Sequence, residues 1–117
     1  MRYLPRQHLR KPREFEALRH SGIRRDCDCF FLKLQTFPER QPPLRRLGVV
    51  ASRRVGNAVR RNRAKRLLRE AFRQNQHRLP PSCDLVLVAR PAILQRSFAE
   101  IDSRLQLALR HTGSVLP

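Results

Sequence analysis

The most regular alternation of apolar and polar positions in the chain lies between residues 57 and 76. At about 100° per residue, one side of this segment is polar and the other is apolar. The polar side carries Asn62, Lys65, Arg66, Arg69 and Arg73, and the apolar side carries Ala64, Leu67, Leu68, Ala71 and Phe72. Asn57 precedes the pattern and is a residue type that caps helix N-termini. The segment therefore predicts an amphipathic helix that begins after Asn57 and fades near Gln76.

Three segments have the composition of β-strands. Residues 29–37 alternate, with Phe30, Leu32, Leu34 and Thr36 on one face and Cys29, Phe31, Lys33, Gln35 and Phe37 on the other. We expect the first face in the core, whereas Phe31 and Phe37 either form a platform for single-stranded nucleic acid or pack under a helix. Residues 47–54 predict a strand that runs into the basic helix, and residues 84–90 predict a continuous apolar strand inside a sheet.

Two further helices flank this central part. Pro12 suits the first turn of a short helix over about residues 12–20, in which Phe15 is either a core residue or an aromatic that stacks on a base. Ser97 and Glu100 have the spacing of a capping box, in which two side chains satisfy free amides reciprocally. The apolar face of this last helix is Ile101, Leu105, Ala108 and Leu109. We expect a basic arm over residues 1–11 and a frayed tail from residue 112.

The predicted order of elements is α-β-β-α-β-α, in which the first strand region can bend into two. This order indicates an α/β two-layer sandwich, with one small mixed sheet and helices packed on it. The length of 117 residues predicts a single domain over 1–117, with a core over about 9–111. The strand–helix–strand unit over residues 47–90 would ordinarily cross over with a right-handed sense.

The chain carries a net charge of +17, with a pI near 11.8. Self-repulsion of this size opposes compaction, so we expect a polyanionic partner to neutralise much of it, and nucleic acid is the commonest such partner. The longest apolar run, Leu85–Ala89, is far shorter than the ~20 residues that span a bilayer. The start of the chain lacks the apolar segment of a secretory signal, so we expect a cytoplasmic protein without membrane contact.

The charge is concentrated in the predicted central helix. Residues 53–73 hold eight Arg and one Lys against one Glu. Arg60, Arg61 and Arg63 lie near the N-terminal end, where the helix dipole makes cations unfavourable. A solvated helix face would ordinarily mix both signs in pairs four residues apart. The pattern therefore favours a surface that binds an anionic polymer.

Candidate catalytic and metal-binding residues are sparse. The nine carboxylates do not cluster as a two-metal site requires, and we expect Asp26 and Asp28 to cap the chain or to neutralise the two arginines that precede them. Spacing alone leaves a Cys–His nucleophile pair open, although nothing in the sequence suggests one. The cysteines lack a CxxC pair or paired histidines and are predicted to be reduced thiols: Cys27, Cys29 and Cys83. The sequence predicts a binding protein with no catalytic and no metal-binding residue of its own.

The segment from Arg53 to Phe72, RRVGNAVRRNRAKRLLREAF, closely resembles the RNR signature of the bacterial ribonuclease P protein family. The signature is long and ordered, which argues against chance agreement. Shorter segments are also similar to the family: Leu9-Arg10-Lys11 with Glu14-Phe15 at its start, Leu47-Gly48-Val49 before the signature, and Asp84 to Pro91 in its last strand. The resemblance covers roughly residues 9–110.

This resemblance implies a ribonucleoprotein enzyme in which a large RNA hydrolyses a phosphodiester to remove the 5′ leader of precursor tRNA. It also implies that Mg²⁺ is held chiefly by the RNA subunit and substrate, that the protein is an accessory subunit bound one to one, and that the strand–helix–strand crossover is left-handed. Contacts with ribonuclease P RNA are implied for Arg60, Arg61, Asn62, Arg63, Lys65, Arg66, Arg69 and Arg73. A leader cleft between the sheet and the first helix is implied for Phe15, Arg19, Phe31, Lys33, Ser52, Arg53, Arg54 and Arg90.

Two positions depart from the family pattern. Arg19 stands where the family usually has a second cleft aromatic, and Lys33 replaces a common aromatic. We therefore expect leader contact to depend more on phosphates, which do not identify bases, and to show weak sequence preference. Three alternatives stay open at this point: a structural RNA-binding protein of the ribosomal type without a role in processing, a helix-based DNA reader, and a nuclease that acts without RNA.

Overall fold

The fold was analysed in a computed structural model that describes residues 7–9 and 22–113, with side chains through residue 110. The predicted helix over 12–20 lies outside these described residues, as do the predicted cleft residues Phe15 and Arg19 and most of the predicted arm. The described residues contain one four-stranded sheet and two α-helices, in agreement with the predicted α/β sandwich.

The sheet consists of β1 (Ile23–Asp26), β2 (Phe30–Thr36), β3 (Arg45–Val50) and β4 (Cys83–Ala89), in the order β1-β2-β4-β3. β2 pairs antiparallel with β1 and β4, whereas β3 pairs parallel with β4, so the sheet is mixed. The parallel pair requires a crossover, and helix α1 (Ala58–Asn75) supplies it. The left-handed sense of this crossover stays a prediction from the resemblance.

The strand region predicted over residues 29–37 forms β2 alone, and the unpredicted strand β1 precedes it across a tight turn. Asp28 adopts a positive φ of 69°, and its amide donates a 2.8 Å hydrogen bond to Oδ1 of Asp26. The amide of Cys27 bonds the Phe30 carbonyl at 2.8 Å and closes the turn. Cys29, which was predicted on the same strand face as Phe31 and Phe37, is instead fully buried, because it leaves this turn toward the core.

One face of the sheet is covered by the helices. Phe30, Leu32 and Leu34 of β2 are fully buried, as predicted, beside Leu85 and Leu87 of β4. The covering residues of α1 are Ala64, Leu68, Ala71 and Phe72, and those of α2 (Phe98–Gly113) are Ile101, Leu105, Ala108 and Leu109. These predicted apolar faces are confirmed. Each fully buried Leu or Phe contributes about 1.5–3 kcal/mol to the hydrophobic stabilisation that holds the layers together.

Both helices begin at the predicted caps. Asn57 Oδ1 accepts a 3.0 Å hydrogen bond from the amide of Arg60, and at α2 the amide of Glu100 bonds Ser97 Oγ while the amide of Ser97 bonds Glu100 Oε1, both at 3.2 Å. α2 continues through Gly113, so the prediction of a tail from residue 112 is wrong at its first two positions. The amphipathic pattern ends earlier than the backbone hydrogen bonds do.

The second strand was predicted to extend to Arg54, but β3 ends at Val50. Residues 52–56 form a turn in which the amide of Val55 bonds the Ser52 carbonyl at 3.0 Å. Gly56 has φ +145°, and a Cβ there would lie 2.6 Å from the Cδ of Arg60. This turn redirects the chain into α1, and it displaces Ser52 and Arg54 from a sheet to an exposed loop.

The opposite face of the sheet is only partly covered in the described structure. The register aligns three cross-strand rows on this face: Arg24–Lys33–Val86–Gly48, Asp26–Phe31–Val88–Val50 and Gln35–Asp84–Arg46. Leu9 packs on Val86 and Val88, held by a 2.8 Å hydrogen bond from its amide to the Leu47 carbonyl. We call this surface the open face.

Candidate RNA-binding surfaces

The outer side of α1 is almost entirely cationic. Arg60, Asn62, Arg63, Arg66 and Arg69 are exposed, and Arg61 and Lys65 are half-buried. Within the described residues, no ion pair involves any of the six cations Arg60, Arg61, Arg63, Lys65, Arg66 and Arg69. The helix therefore presents positive charge that the described carboxylates do not neutralise. Such a surface attracts the phosphates of a nucleic-acid backbone.

Arg73 differs from the other predicted RNA contacts. Its Nε lies 3.0 Å from Oε2 of Glu70, and its Nη2 bonds the other carboxylate oxygen. Gln74 donates a further 2.9 Å hydrogen bond to Glu70. The bonds from Arg73 and then Gln74 lower the pKa of Glu70 to about 2. At neutral pH the charge of Arg73 is thus shared with a carboxylate of its own helix.

On the open face, two arginines lie over one aromatic ring. The Cζ of Arg24 is 4.2 Å from the centroid of the Phe31 ring, and that of Arg90 is 5.5 Å from it. Lys33 is directly opposite Arg24 in the register of β1 and β2. Phe31 and Lys33 are half-buried and on this face, as predicted, so the sheet offers an aromatic ring framed by cations.

Arg90 is fixed in place by the β1–β2 turn. Its Nη1 and Nη2 lie 2.7 and 2.8 Å from the two carboxylate oxygens of Asp26, and Nη1 also bonds the Asp28 carbonyl at 3.1 Å. The hydrogen bond from Arg90 is the main cause that lowers the pKa of Asp26. Asp28 in turn pairs with Arg96 at 2.7 Å. The prediction that these two carboxylates cap the chain or neutralise the preceding arginines is confirmed only in part. Asp26 caps the turn by accepting the Asp28 amide, and Arg24 is a minor cause of its lowered pKa. The ion-pair partners of the two carboxylates come instead from the far end of β4 and beyond.

The turn over residues 52–54 connects the two surfaces. Val50 and Val88 pair in register, so Ser52 follows β3 at the same edge of the sheet where Arg90 follows β4. Ser52, Arg53 and Arg54 are exposed, and α1 begins four residues after Arg54. The structure thus brings Ser52, Arg53 and Arg54 to the end of the open face that holds Phe31 and Arg90. Sequence reasoning missed Arg24, because its strand lacks an apolar alternation.

A cavity of about 560 Å³ lies between the β1–β2 turn and α2. Arg90 and Asp26 form part of its wall, together with Arg104 and Leu107 of α2. Arg104 lies 3.6 Å from the carboxylate of Asp28. Arg90 and Arg104, two of the cations that line the cavity, therefore already have carboxylate partners. Among the described residues predicted for the leader cleft, the cavity shares only Arg90.

The described carboxylates and thiols do not form a reactive centre. No group of three or more His, Cys, Asp or Glu side chains in the described part of the chain could hold a metal ion. The buried carboxylate of Asp84 is bound by Arg40 at 3.0 Å and by Arg46 at 2.8 and 2.9 Å. Burial raises the pKa of Cys27 and of Cys83 to about 12, so both thiols are protonated at neutral pH.

None of the described helices is long and apolar enough to cross a membrane.

One small sheet, two covering helices and the cationic outer side of one of these helices, next to an open sheet face, define a small α/β protein of the RNA-binding class. Residues 4–113 match the family model described as Ribonuclease P. The chain therefore belongs to the ribonuclease P protein family, and it is a subunit of ribonuclease P with an RNA partner. The role of that family is tRNA processing, so a ribosomal-type protein without a processing role is not supported.

Bacterial relatives agree with this assignment. The chain is 38% identical over 111 residues to the ribonuclease P protein component of Shouchella clausii, which covers 95% of this chain and 89% of the relative. It is 42% identical over 94 residues to that of Desulfatibacillum aliphaticivorans, covering 80% and 77%. The RNase P protein from Thermotoga maritima matches with a TM-score of 0.75 and 28% identity over 89% and 96% of the two chains. The Staphylococcus aureus RNase P protein shares the fold, with a TM-score of 0.78 and 24% identity over 91% and 94%.

Proposed function

We propose that this chain is the accessory protein of a ribonuclease P holoenzyme in which the RNA subunit performs the hydrolysis. The observation that carries the proposal is the row of six α1 cations without an ion pair to any described carboxylate. Such a row is unfavourable for an isolated helix, because like charges three and four residues apart repel each other. A folded RNA supplies the phosphates that offset this repulsion.

In this proposal α1 binds the catalytic RNA, and the open face binds the single-stranded leader of precursor tRNA. Phe31 and Lys33 provide an aromatic and cationic platform, and the residue 52–54 turn joins it to α1. A platform of this type suits a single strand, whose phosphates and bases are both accessible. The leader would thus leave the RNA active centre along the sheet of the protein.

Mg²⁺ belongs to the RNA in this scheme. The described side chains do not fit a magnesium site, since no three His, Cys, Asp or Glu side chains among them come together and Asp84 is enclosed by two arginines. When bound to RNA and substrate, Mg²⁺ supplies the activation of the attacking water and the stabilisation of the leaving oxygen. The protein positions substrate and lowers the repulsion between two polyanions. We further propose a one-to-one complex that acts in the cytoplasm on precursor tRNA.

Reconstitution tests this function. Purified protein is added to ribonuclease P RNA at low Mg²⁺, and cleavage of precursor tRNA is measured beside RNA alone and protein alone. We expect cleavage to rise with protein until the two are equimolar, while protein alone leaves the precursor intact. Cleavage by protein alone, or no effect on the RNA reaction at any Mg²⁺ concentration, would contradict the proposal.

A further inference from the structure

Arg24 occupies an unusual position on the open face. It lies on edge strand β1, directly opposite Lys33, and its guanidinium is 4.2 Å above the Phe31 ring. The side chain is exposed, and within the described part of the chain it has no ion pair. A guanidinium that stacks through its face keeps its N–H donors in the plane of the group, directed outward.

Arg24 and Arg90 differ in their hydrogen-bond partners. Both arginines lie near the same ring, but Arg90 is bound by the Asp26 carboxylate and the Asp28 carbonyl. Arg24 has no such carboxylate bonds among the described residues. Of the two cations at Phe31, Arg24 is therefore the one whose donors are available to a ligand.

We propose that Arg24 is a further leader-binding residue, and that Phe31 acts mainly as its support. In this arrangement the guanidinium of Arg24 binds a backbone phosphate of the leader, and the ring below holds the guanidinium in orientation. A base could reach the same face of Phe31 only by displacing Arg24. The inference rests on the proposed function, and it assigns to this part of the open face a phosphate contact that does not identify bases.

The test uses the holoenzyme reconstituted with ribonuclease P RNA and measures binding of precursor tRNA with a long leader and of mature tRNA without one. Arg24→Ala is expected to weaken binding of the long-leader substrate roughly 3- to 10-fold and to reduce its log–log salt slope by about 0.7, the value for one phosphate of a single strand. Binding of leaderless tRNA should not change. Arg24→Lys keeps the charge but lacks the planar group that stacks on a ring. Its affinity for the long-leader substrate should fall between those of Arg24→Ala and the unmodified protein.

Arg25→Ala is the matched control. It removes the same side chain from the same strand, but Arg25 pairs with Leu32 and lies on the other face of the sheet. We expect its leader affinity and salt slope to match the unmodified protein. Circular dichroism checks that each variant is folded.

A double-variant cycle tests the role assigned to the ring. If Phe31 supports Arg24, then Phe31→Ala together with Arg24→Ala should lose no more affinity than the larger single loss. Additive losses, or losses that depend on the base in the leader, would mean that Phe31 contacts a base directly and would overturn the inference.

The experiment distinguishes a failure of the proposed function from a failure of the Arg24 assignment. If the unmodified protein gives no leader-dependent affinity, the proposed function fails and the inference fails with it. If it gives leader-dependent affinity and Arg24→Ala retains it with an unchanged salt slope, only the assignment of Arg24 is refuted.

Discussion

Glu70 and Arg73, three residues apart on α1, form an ion pair with two hydrogen bonds. Nε and Nη2 of Arg73 each donate to one oxygen of the Glu70 carboxylate. This is the only described ion pair on the basic helix, and it withdraws one of its cations from the otherwise unneutralised row. The pair separates α1 into an N-terminal part with free positive charge and a last turn in which charge is balanced. We therefore expect the cations of the N-terminal part to contribute more to RNA affinity than Arg73 does.

Glu70→Gln should strengthen RNA binding, because it removes the carboxylate that neutralises the charge of Arg73. The log–log salt slope of binding to ribonuclease P RNA should steepen by about 0.7 to 0.9, the change for one added contact. Filter binding over a series of salt concentrations measures this slope. Glu39→Gln is the matched control, since Glu39 is exposed in a loop outside the helix and its loss changes net charge by the same amount. Equal slopes for the two variants would show that Arg73 does not reach RNA.

Arg66→Ala should weaken assembly with the RNA, because Arg66 is exposed in the middle of the unneutralised row. We expect a roughly 3- to 10-fold loss of affinity at moderate salt and a slope shallower by about 0.7 to 0.9. Arg110→Ala, an exposed arginine on α2, controls for the loss of one charge. Identical slopes for Arg66→Ala and the unmodified protein would remove Arg66 from the interface.

Asn57→Ala should destabilise the fold by about 1 kcal/mol, within the usual 0.5–2 kcal/mol for loss of an N-cap. The reason is the 3.0 Å hydrogen bond from the Arg60 amide to Asn57 Oδ1. Denaturant unfolding measures the change. Asn62→Ala removes the same side chain from the exposed helix interior, where we expect a change within about 0.5 kcal/mol. If the two variants are equally stable, the cap does not anchor α1.

The thiols should resist alkylation in the folded protein. Burial raises the pKa of Cys27 and Cys83 from 9.0 to about 12, so at pH 8 their thiolate fraction is roughly a thousandfold smaller than in the unfolded chain. Mass spectrometry after timed iodoacetamide treatment, with and without denaturant, measures the difference. Rapid labelling of either residue in the native protein would contradict the burial seen here.

These thiols also predict the sign of a pH effect on stability. A folded pKa above the unfolded one stabilises the fold fully below pH 9. That contribution is lost as pH rises toward 12, so the free energy of unfolding should decrease over this interval. Replacing Cys83 by Ala should reduce the pH dependence of unfolding in the same interval. An increase in stability with pH there would mean that the thiols ionise more readily in the fold.

Local patterns were sufficient for the two described helices, α1 and α2. The span of α1 and its buried face follow from apolar residues at helical spacing, and the Asn57 and Ser97–Glu100 caps follow from side chains that reach amides three residues away. These interactions join residues within one or two turns, so the sequence order itself brings them together. The core face of β2 is equally local, because alternate side chains point to opposite sides of a strand.

β1 could not be recognised in this way. Its sequence, Ile23 to Asp26, has two arginines in the middle and no apolar alternation. It is a strand because β2 offers backbone hydrogen bonds to an edge partner, and charged side chains are common at such edges. For the same reason the end of β3 was misplaced, since the turn after Val50 depends on packing and on Gly56 rather than on composition.

The order of residues along α1 is enough to predict a helix with concentrated positive charge on one side and an apolar side that packs on a sheet. Which arginines form ion pairs, and which keep their charge for a ligand, depends on contacts that form only in the folded chain. Asp26 binds Arg90, 64 positions away, and the guanidinium of Arg24 lies over the Phe31 ring. The physical reason is that ion pairing and stacking act over a few ångströms in space. The distance along the chain does not specify which guanidinium lies within reach of a carboxylate or an aromatic ring.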